Sequence, residues 1–419
     1  MAVSVKVPKE VESASMRTGV DVVIVGAGQA GLSLSHELAA ASVEHLVLER
    51  GRVGETWRGR WDSFSLVIPN WTVRLPGGPY RGDDPDGFMP KTQIVSHLVG
   101  YAESFHAPVR EGVTVTSLEP ADGGAFLLRT SAGEVRTREV VLASGGYQKP
   151  HRPPAAAELP ASVHAIDAED YVNASLLPPG KVLIVGSGQT GCQLAEEIFD
   201  AGREVFLACG RAPWVPRRIA GRDNIAWVAE TAFFDARLTD LPSPAARLLA
   251  NPQMSGRNGG HDLHFRTLQA QGVQLMGHLI GVTDERAYFA NDLADSVAFG
   301  DARYADLSEL IRKACAARSV PAPEMAPPPS FNANAPETLA LDEVGTVIFT
   351  SGFRPDYASW VRFPEAFDGA GFPIQRDGSS AVVPGLHFMG VHFQRKRKSA
   401  TLLGVGEDAS VLAETIANR

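Results

Sequence analysis

Two stretches of the chain share one pattern of apolar run, glycine cluster and helical stripe. In the first, Val22, Val23, Ile24 and Val25 are continuously apolar, which predicts a short strand buried on both faces. Gly26, Gly28 and Gly31 follow at G-x-G-x-x-G spacing, with Gln29 and Ala30 between them. Leu32, Leu34, Leu38 and Ala39 continue as a helix, and a second apolar run at 46–48 ends on Glu49 and Arg50. The second stretch opens with the run 181–185, then Gly186, Ser187, Gly188, Gln189, Thr190 and Gly191. A helix through Leu194, Ala195 and Ile198 and a strand at 205–207 complete it. The leading glycines are 186 − 26 = 160 residues apart, so the repeat is of a whole βαβ unit.

Each part of that pattern has a physical job. The first glycine permits a tight turn, the second lets a pyrophosphate reach the backbone, and the third lets helix pack on strand. The helix N-terminus offers free N–H groups and the positive end of a dipole. A strand before, a helix after and an acid at the next strand end turn a weak motif into a specific one. Glu49 stands where a carboxylate accepts from both ribose hydroxyls of an adenosine. In the second unit Ala208 replaces that acid, and Arg211, Arg217 and Arg218 follow. An acid repels a ribose 2′-phosphate and a guanidinium attracts it, so the second unit is expected to prefer NADPH to NADH.

The stretch 51–80 has little periodicity and is dense in Trp, Arg, Gly and Pro. It reads equally as loop shaped round a ligand or as connecting loop with packed aromatics. A helix is expected after Met89-Pro90, through Ile94, Leu98, Tyr101, Ala102 and Phe105, and short strands at 113–115 and 126–128. The run 140–143 is a further buried strand ending in Ser144-Gly145-Gly146, and 347–350 is its counterpart, ending in Ser351-Gly352. Pro150, Pro153 and Pro154, and then Pro178-Pro179-Gly180, mark breaks. Residues 213–318 give mixed signals, with a turn at Gly259-Gly260-His261; His261 and His264 have no third metal-type partner at useful spacing. The Pro-rich stretch 320–337 reads as a linker or return crossover.

Composition narrows the class. With 419 residues the chain exceeds one ordinary core. A net charge of −9 disfavours nucleic acid and anionic membranes as partners. The one basic run, Arg395-Lys396-Arg397-Lys398, could mimic a localisation signal but reads rather as a local feature near a cofactor phosphate or as a solvated surface. No apolar run reaches membrane-spanning length and the N-terminus lacks a secretory pattern, so a cytoplasmic protein with a mobile first ~18 residues is expected. Cys192, Cys209 and Cys315 form no C-x-x-C and no close pair, which removes the dithiol that disulfide reductases of similar architecture need beside a flavin.

Two fingerprints, the first closing on an acid and the second followed by arginine, resemble the class B flavoprotein monooxygenases, over nearly the whole chain. Gly54-Glu55-Thr56-Trp57 is similar to that family's Gly-Gly-x-Trp segment beside the flavin. Ala143-Ser144-Gly145 and Thr350-Ser351-Gly352 resemble its Ala-Thr-Gly strand ends, and 404–409 its closing flavin-contact helix. The identifying motif F-x-G-x-x-x-H-x-x-x-(Y/F) is met only by His164 and a nearby Tyr171. Its Trp-ended Baeyer–Villiger form is absent.

The resemblance implies an α/β fold of two Rossmann-like domains, the NADPH domain inserted into the FAD domain. The expected boundaries are 1–178 and 326–419 for FAD and 179–325 for NADPH. FAD is assigned to Gly26, Gly28, Gln29, Ala30, Gly31, Glu49, Arg50, Thr56, Trp57, Val115, Ser144 and Gly145. NADPH is assigned to Gly186, Ser187, Gly188, Gln189, Thr190, Gly191, Arg211 and Arg217, and Ser351 and Gly352 are further cofactor-binding candidates. The implied reaction inserts one atom of dioxygen into a small organic substrate through a C4a-(hydro)peroxyflavin, by N- or S-oxygenation or hydroxylation rather than Baeyer–Villiger chemistry. Asn70, Arg58 and His392 are the candidates for tuning that adduct: an amide in the aromatic loop, a guanidinium after Trp57, and an imidazole before the closing helix. The oligomeric state is open, a homodimer included. The rival readings are an NADPH-dependent flavin reductase serving a quinone or ferredoxin, and a flavoprotein redox sensor without turnover.

Overall fold

The computed structural model describes residues 19–419. The expectation of a mobile N-terminus lies outside those residues. Both apolar runs are strands. Val22–Val25 lies between His45–Leu48 and Glu139–Leu142, parallel to each. The sheet runs Gln375–Arg376, Ser379–Ser380, Leu386–Phe388, Glu139–Leu142, Val22–Val25, His45–Leu48, Val109–Arg110, the last five parallel. Its continuous apolar sequence follows from burial on both faces. Val22 and Ile24 pack with Leu32, Leu34 and Leu38 of the fingerprint helix Gln29–Ala40 and with Leu412 and Ile416 of the closing helix Val405–Ala417. Val23 points the other way, towards Leu118, Phe126 and Leu128 of the antiparallel sheet Val115–Pro120, Phe126–Thr130, Gly133–Thr137.

The second sheet is wholly parallel: His164–Asp167, Val344–Phe349, Lys181–Val185, Val205–Ala208, Gln274–Met276. Val182 and Ile184 face the helix Gln189–Asp200, whereas Leu183 and Val185 face Phe289 and Leu339. Both outer contributors, 164–167 and 344–349, lie outside the span 179–325 expected for this unit. The second unit therefore borrows strands from either side of those boundaries. The prolines at 178–179 and 320–337 are punctuation within it rather than its edges.

The chain crosses between units twice, just after Glu139–Leu142 and just after Val344–Phe349. The two crossings pair as a short antiparallel ribbon, Lys149–Pro150 with Phe353–Arg354. The first sheet thus takes strands from before and after the second, the arrangement of an inserted domain. The helix Leu293–Ala317, 25 residues long, was not expected within the mixed region. Its buried positions Leu293, Val297, Tyr304, Ile311 and Cys315 form too thin a stripe to stand out in the sequence.

Candidate functional site

The two fingerprints fold identically at their closest points. Gly26 and Gly186 sit at φ +111° and +109°, a left-handed backbone. A Cβ on Gly26 would lie 2.6 Å from the carbonyl oxygen of Ala143, and one on Gly186 2.8 Å from that of Thr350. Gly31 and Gly191 are tighter: a Cβ there would lie 1.9 and 2.0 Å from the carbonyls of Gly26 and Gly186. The middle glycines differ. Nothing lies within 4 Å of a Cβ placed on Gly28, so that face is open to a phosphate. On Gly188 it would meet Ala250 Cβ at 3.3 Å.

Around the first cradle the polar groups converge. Glu49 is buried; its carboxylate accepts from the backbone N–H of Ala27 (2.7 Å) and of Gly51 (2.9 Å), locking the acid to the glycine turn. The Val113 N–H donates to the Glu49 carbonyl, which carries the start of the strand bearing Val115 up to the acid. Gln29 accepts from Trp57 Nε1 at 3.0 Å and donates to the Ala400 carbonyl at 3.2 Å. One fingerprint side chain therefore ties the aromatic loop to the segment before the closing helix. Arg50, Thr56 and Ser144 are exposed beside this cradle. Gly145, at φ +81°, is held through Gln148, which donates to its carbonyl and to Ser144 Oγ.

Around the second cradle, Ser187 Oγ accepts from the Gly210 N–H at 2.8 Å, and the Ser187 carbonyl accepts from Gln253 Nε2 at 2.7 Å. Gln189 Nε2 donates to the Pro252 carbonyl. Thr190 is half-buried, Ser351 Oγ donates to the Val185 carbonyl, and Gly352 is exposed at φ +85°. Arg211 is exposed at the strand end, and among the described residues its guanidinium has no ion-pair partner. Arg217 is different. It is 1% exposed, its guanidinium donates to Asp223 (2.6 and 2.9 Å) and to the Val67 carbonyl, and it lies 4.3 Å from the Phe88 ring centroid. A buried guanidinium so engaged is not free to meet a phosphate, and the expectation for Arg217 is corrected.

Two of the three catalytic candidates are also committed elsewhere. Asn70 is 3% exposed; its amide donates to the Asp84 carbonyl and accepts from the Met89 N–H. It staples the loop 84–89 and does not face the cradle as a free amide. Arg58 turns back into its own loop, where Nε donates to the Val53 carbonyl. The guanidinium that spans the site is Arg60, 5.0 Å from the Tyr147 ring centroid and 5.7 Å from that of Phe64, with Nε buried and unpartnered. Only its R-G-R setting after Trp57 hinted at it.

His392 lies at the junction of the strand ends. A Cβ on Gly146 would be 3.1 Å from its ring, and Tyr147 meets it edge-on at 6.1 Å. Burial, helped by the charge of Arg247, holds this imidazole below its ordinary pKa, so it is neutral and able to accept a proton at pH 7. His261 bonds Glu196 at 2.6 Å and His264 caps the helix Phe265–Gln271. Among the described residues no group of three or more His, Cys, Asp or Glu could hold a metal ion, and no helix is long and apolar enough to cross a membrane.

The basic run is a clamp. Lys396 and Lys398 both meet Asp235 and Glu407, Arg395 meets Asp377 and Asp408, and Arg397 lies half-buried over Phe233 at 4.3 Å. It pins residues 233–236 of the second unit to the approach of the closing helix, a packing role that the sequence did not indicate.

With this geometry, residues 23–229 match the model of the pyridine nucleotide-disulphide oxidoreductase family. That span is just under half of the chain. It is 29% identical over 401 residues to an uncharacterized CzcO-like oxidoreductase of Geobacillus kaustophilus, covering 95% of this chain and 99% of that protein. It is 32% identical over 204 residues to the indole-3-pyruvate monooxygenase YUCCA1 of Oryza sativa, covering 48% and 50% of the two chains. Its fold is similar to a flavin-containing monooxygenase from Stenotrophomonas maltophilia, at a TM-score of 0.67 and 16% identity, over 96% and 99% of the chains. That likeness carries the two-unit architecture of this oxidoreductase. The disulphide of the family name has no counterpart among its thiols: Cys192, Cys209 and Cys315 are free and buried, and burial pushes the Cys192 and Cys209 thiols well up.

Proposed function

We propose that this oxidoreductase is an FAD-dependent, NADPH-consuming monooxygenase that oxygenates a small organic substrate at nitrogen, sulfur or carbon rather than by Baeyer–Villiger insertion. The observation that carries the reading is the pair of matched cradles joined by one ribbon, with no thiol pair beside either. FAD fits the first: Gly28 is open to the pyrophosphate, Glu49 is anchored to take the ribose, and Gln29 ties Trp57 and Ala400 round the site. NADPH fits the second, with Arg211 as the 2′-phosphate partner. Bound flavin would accept hydride from the nicotinamide and activate dioxygen.

The protein's own contribution is position, field and exclusion of water. Trp57, Phe64 and Tyr147 wall the junction, Arg60 supplies positive charge there, and His392 holds or accepts a proton at its free ring nitrogen. The test is anaerobic reduction of the flavin-loaded protein by NADPH, followed by mixing with isotopically labelled dioxygen and a panel of amines, sulfides and aromatic acids. The reading expects a transient absorbance distinct from both oxidised and reduced flavin, and label in one product. Reoxidation that yields only peroxide with every substrate, but rapid transfer to a quinone, would favour the reductase instead.

A further inference from the structure

The difference between the two middle glycines has a source. Residues 231–254 form one continuous segment. Its first end is fixed to the first unit: Asp235 bonds Lys396 and Lys398, and the Arg397 and Lys398 N–H groups donate to the Ala236 and Phe234 carbonyls. Midway, Arg247 donates to Asp368 at 2.8 Å and stacks 3.4 Å from the Phe372 ring centroid, both in the returning part of the first unit. The far end lies on the second fingerprint. There Ala250 covers Gly188, and Pro252 and Gln253 bond Gln189 and Ser187. The middle glycine of such a turn is where a pyrophosphate approaches the backbone. Ala250 stands in that approach, and nothing stands in the equivalent approach at Gly28.

We propose that residues 241–252 are a strap that the NADP nucleotide displaces as it binds, and that the Arg247–Asp368 pair latches it to the first unit. This rests on the second unit being the NADPH site. The strap is built to move. From 241 to 252 its only regular structure is the single turn Pro244–Leu248, and Leu248 and Leu249 leave 38% and 44% of their surface exposed, whereas Gln253, buried and bridged to Trp214, anchors its far end. Nucleotide binding in one unit thereby releases a contact made by the other. The apparent affinity for NADP⁺ is lowered by the fraction of molecules whose strap is closed.

The experiment uses the flavin-loaded full chain with NADP⁺ as probe, and follows hydrogen exchange by peptide together with equilibrium binding. On saturation, peptides covering 241–252 are expected to exchange faster while 186–191 become protected. Asp368→Asn, which releases the latch, is expected to bind NADP⁺ about 3–10-fold more tightly. Ala250→Gly, which removes the covering methyl without touching the latch, should shift binding the same way and serves if the first variant folds poorly. Protection at 186–191 with unchanged or slowed exchange at 241–252, and unaltered affinity in the variants, overturns the strap while leaving the second unit as the nucleotide site. Absence of NADP⁺ binding by wild type and both variants overturns both.

Discussion

Arg211 and Arg217 leave the same strand end and meet different fates. Both were visible in the sequence as guanidinium groups where a 2′-phosphate would sit. What the sequence could not show is that Asp223, the Val67 carbonyl and the Phe88 ring close round Arg217. Arg211→Ala is expected to weaken NADPH binding about 10–100-fold, the worth of a charge-assisted hydrogen bond, while leaving NADH binding and the melting temperature unchanged. Arg217→Ala leaves Asp223 buried without this partner and is expected to cost about 3–5 kcal/mol of stability, read as a fall in the melting midpoint. If Arg217→Ala melts like wild type and loses only NADPH, the assignment of the two residues is reversed. Asn70 carries the same lesson. An amide in an aromatic loop reads as chemistry until Asp84 and Met89 are seen to use both its ends.

At the scale of elements, the glycines make the sharpest division between fold and site. Gly28 has an ordinary φ of −82° and open space, so Gly28→Ala is expected to fold and yet emerge without flavin. Gly31→Ala drives a Cβ into the Gly26 carbonyl and is expected to fail to fold. Soluble expression and flavin absorbance separate the two outcomes.

The cap of the helix Phe265–Gln271 gives a pH dependence. Burial lowers the His264 pKa to about 4, from an ordinary 6.5, so the folded state resists a proton that the unfolded chain takes up. Stability is therefore lost as pH falls from 6.5 towards 4, by about 2 kcal/mol at pH 5 from this group. His264→Asn, which keeps a capping acceptor, is expected to flatten that part of the loss in denaturant titrations at pH 7 and pH 5. Continuous apolar runs and glycine spacing made the fingerprint strands and helices legible in advance. The long helix Leu293–Ala317 and the strand His164–Asp167 were not, because a thin buried stripe and a short edge strand are specified by what they pack against.

The whole molecule is two parallel-sheet units held by the 149–150/353–354 ribbon, the 395–398 clamp and the Arg247–Asp368 latch. The repeat of the fingerprint foretold the two units. The sequence did not show that the strands 164–167 and 344–349 join the second sheet from beyond its prolines. The account needs reducing equivalents to pass from one unit to the other. The most direct measurement is the rate at which the flavin of the loaded protein bleaches under anaerobic conditions with NADPH and with NADH, in wild type and in Arg211→Ala. The account predicts full bleaching, faster with NADPH, and a preference abolished by Arg211→Ala. A protein that takes up no flavin, or whose flavin NADPH leaves oxidised, would contradict it.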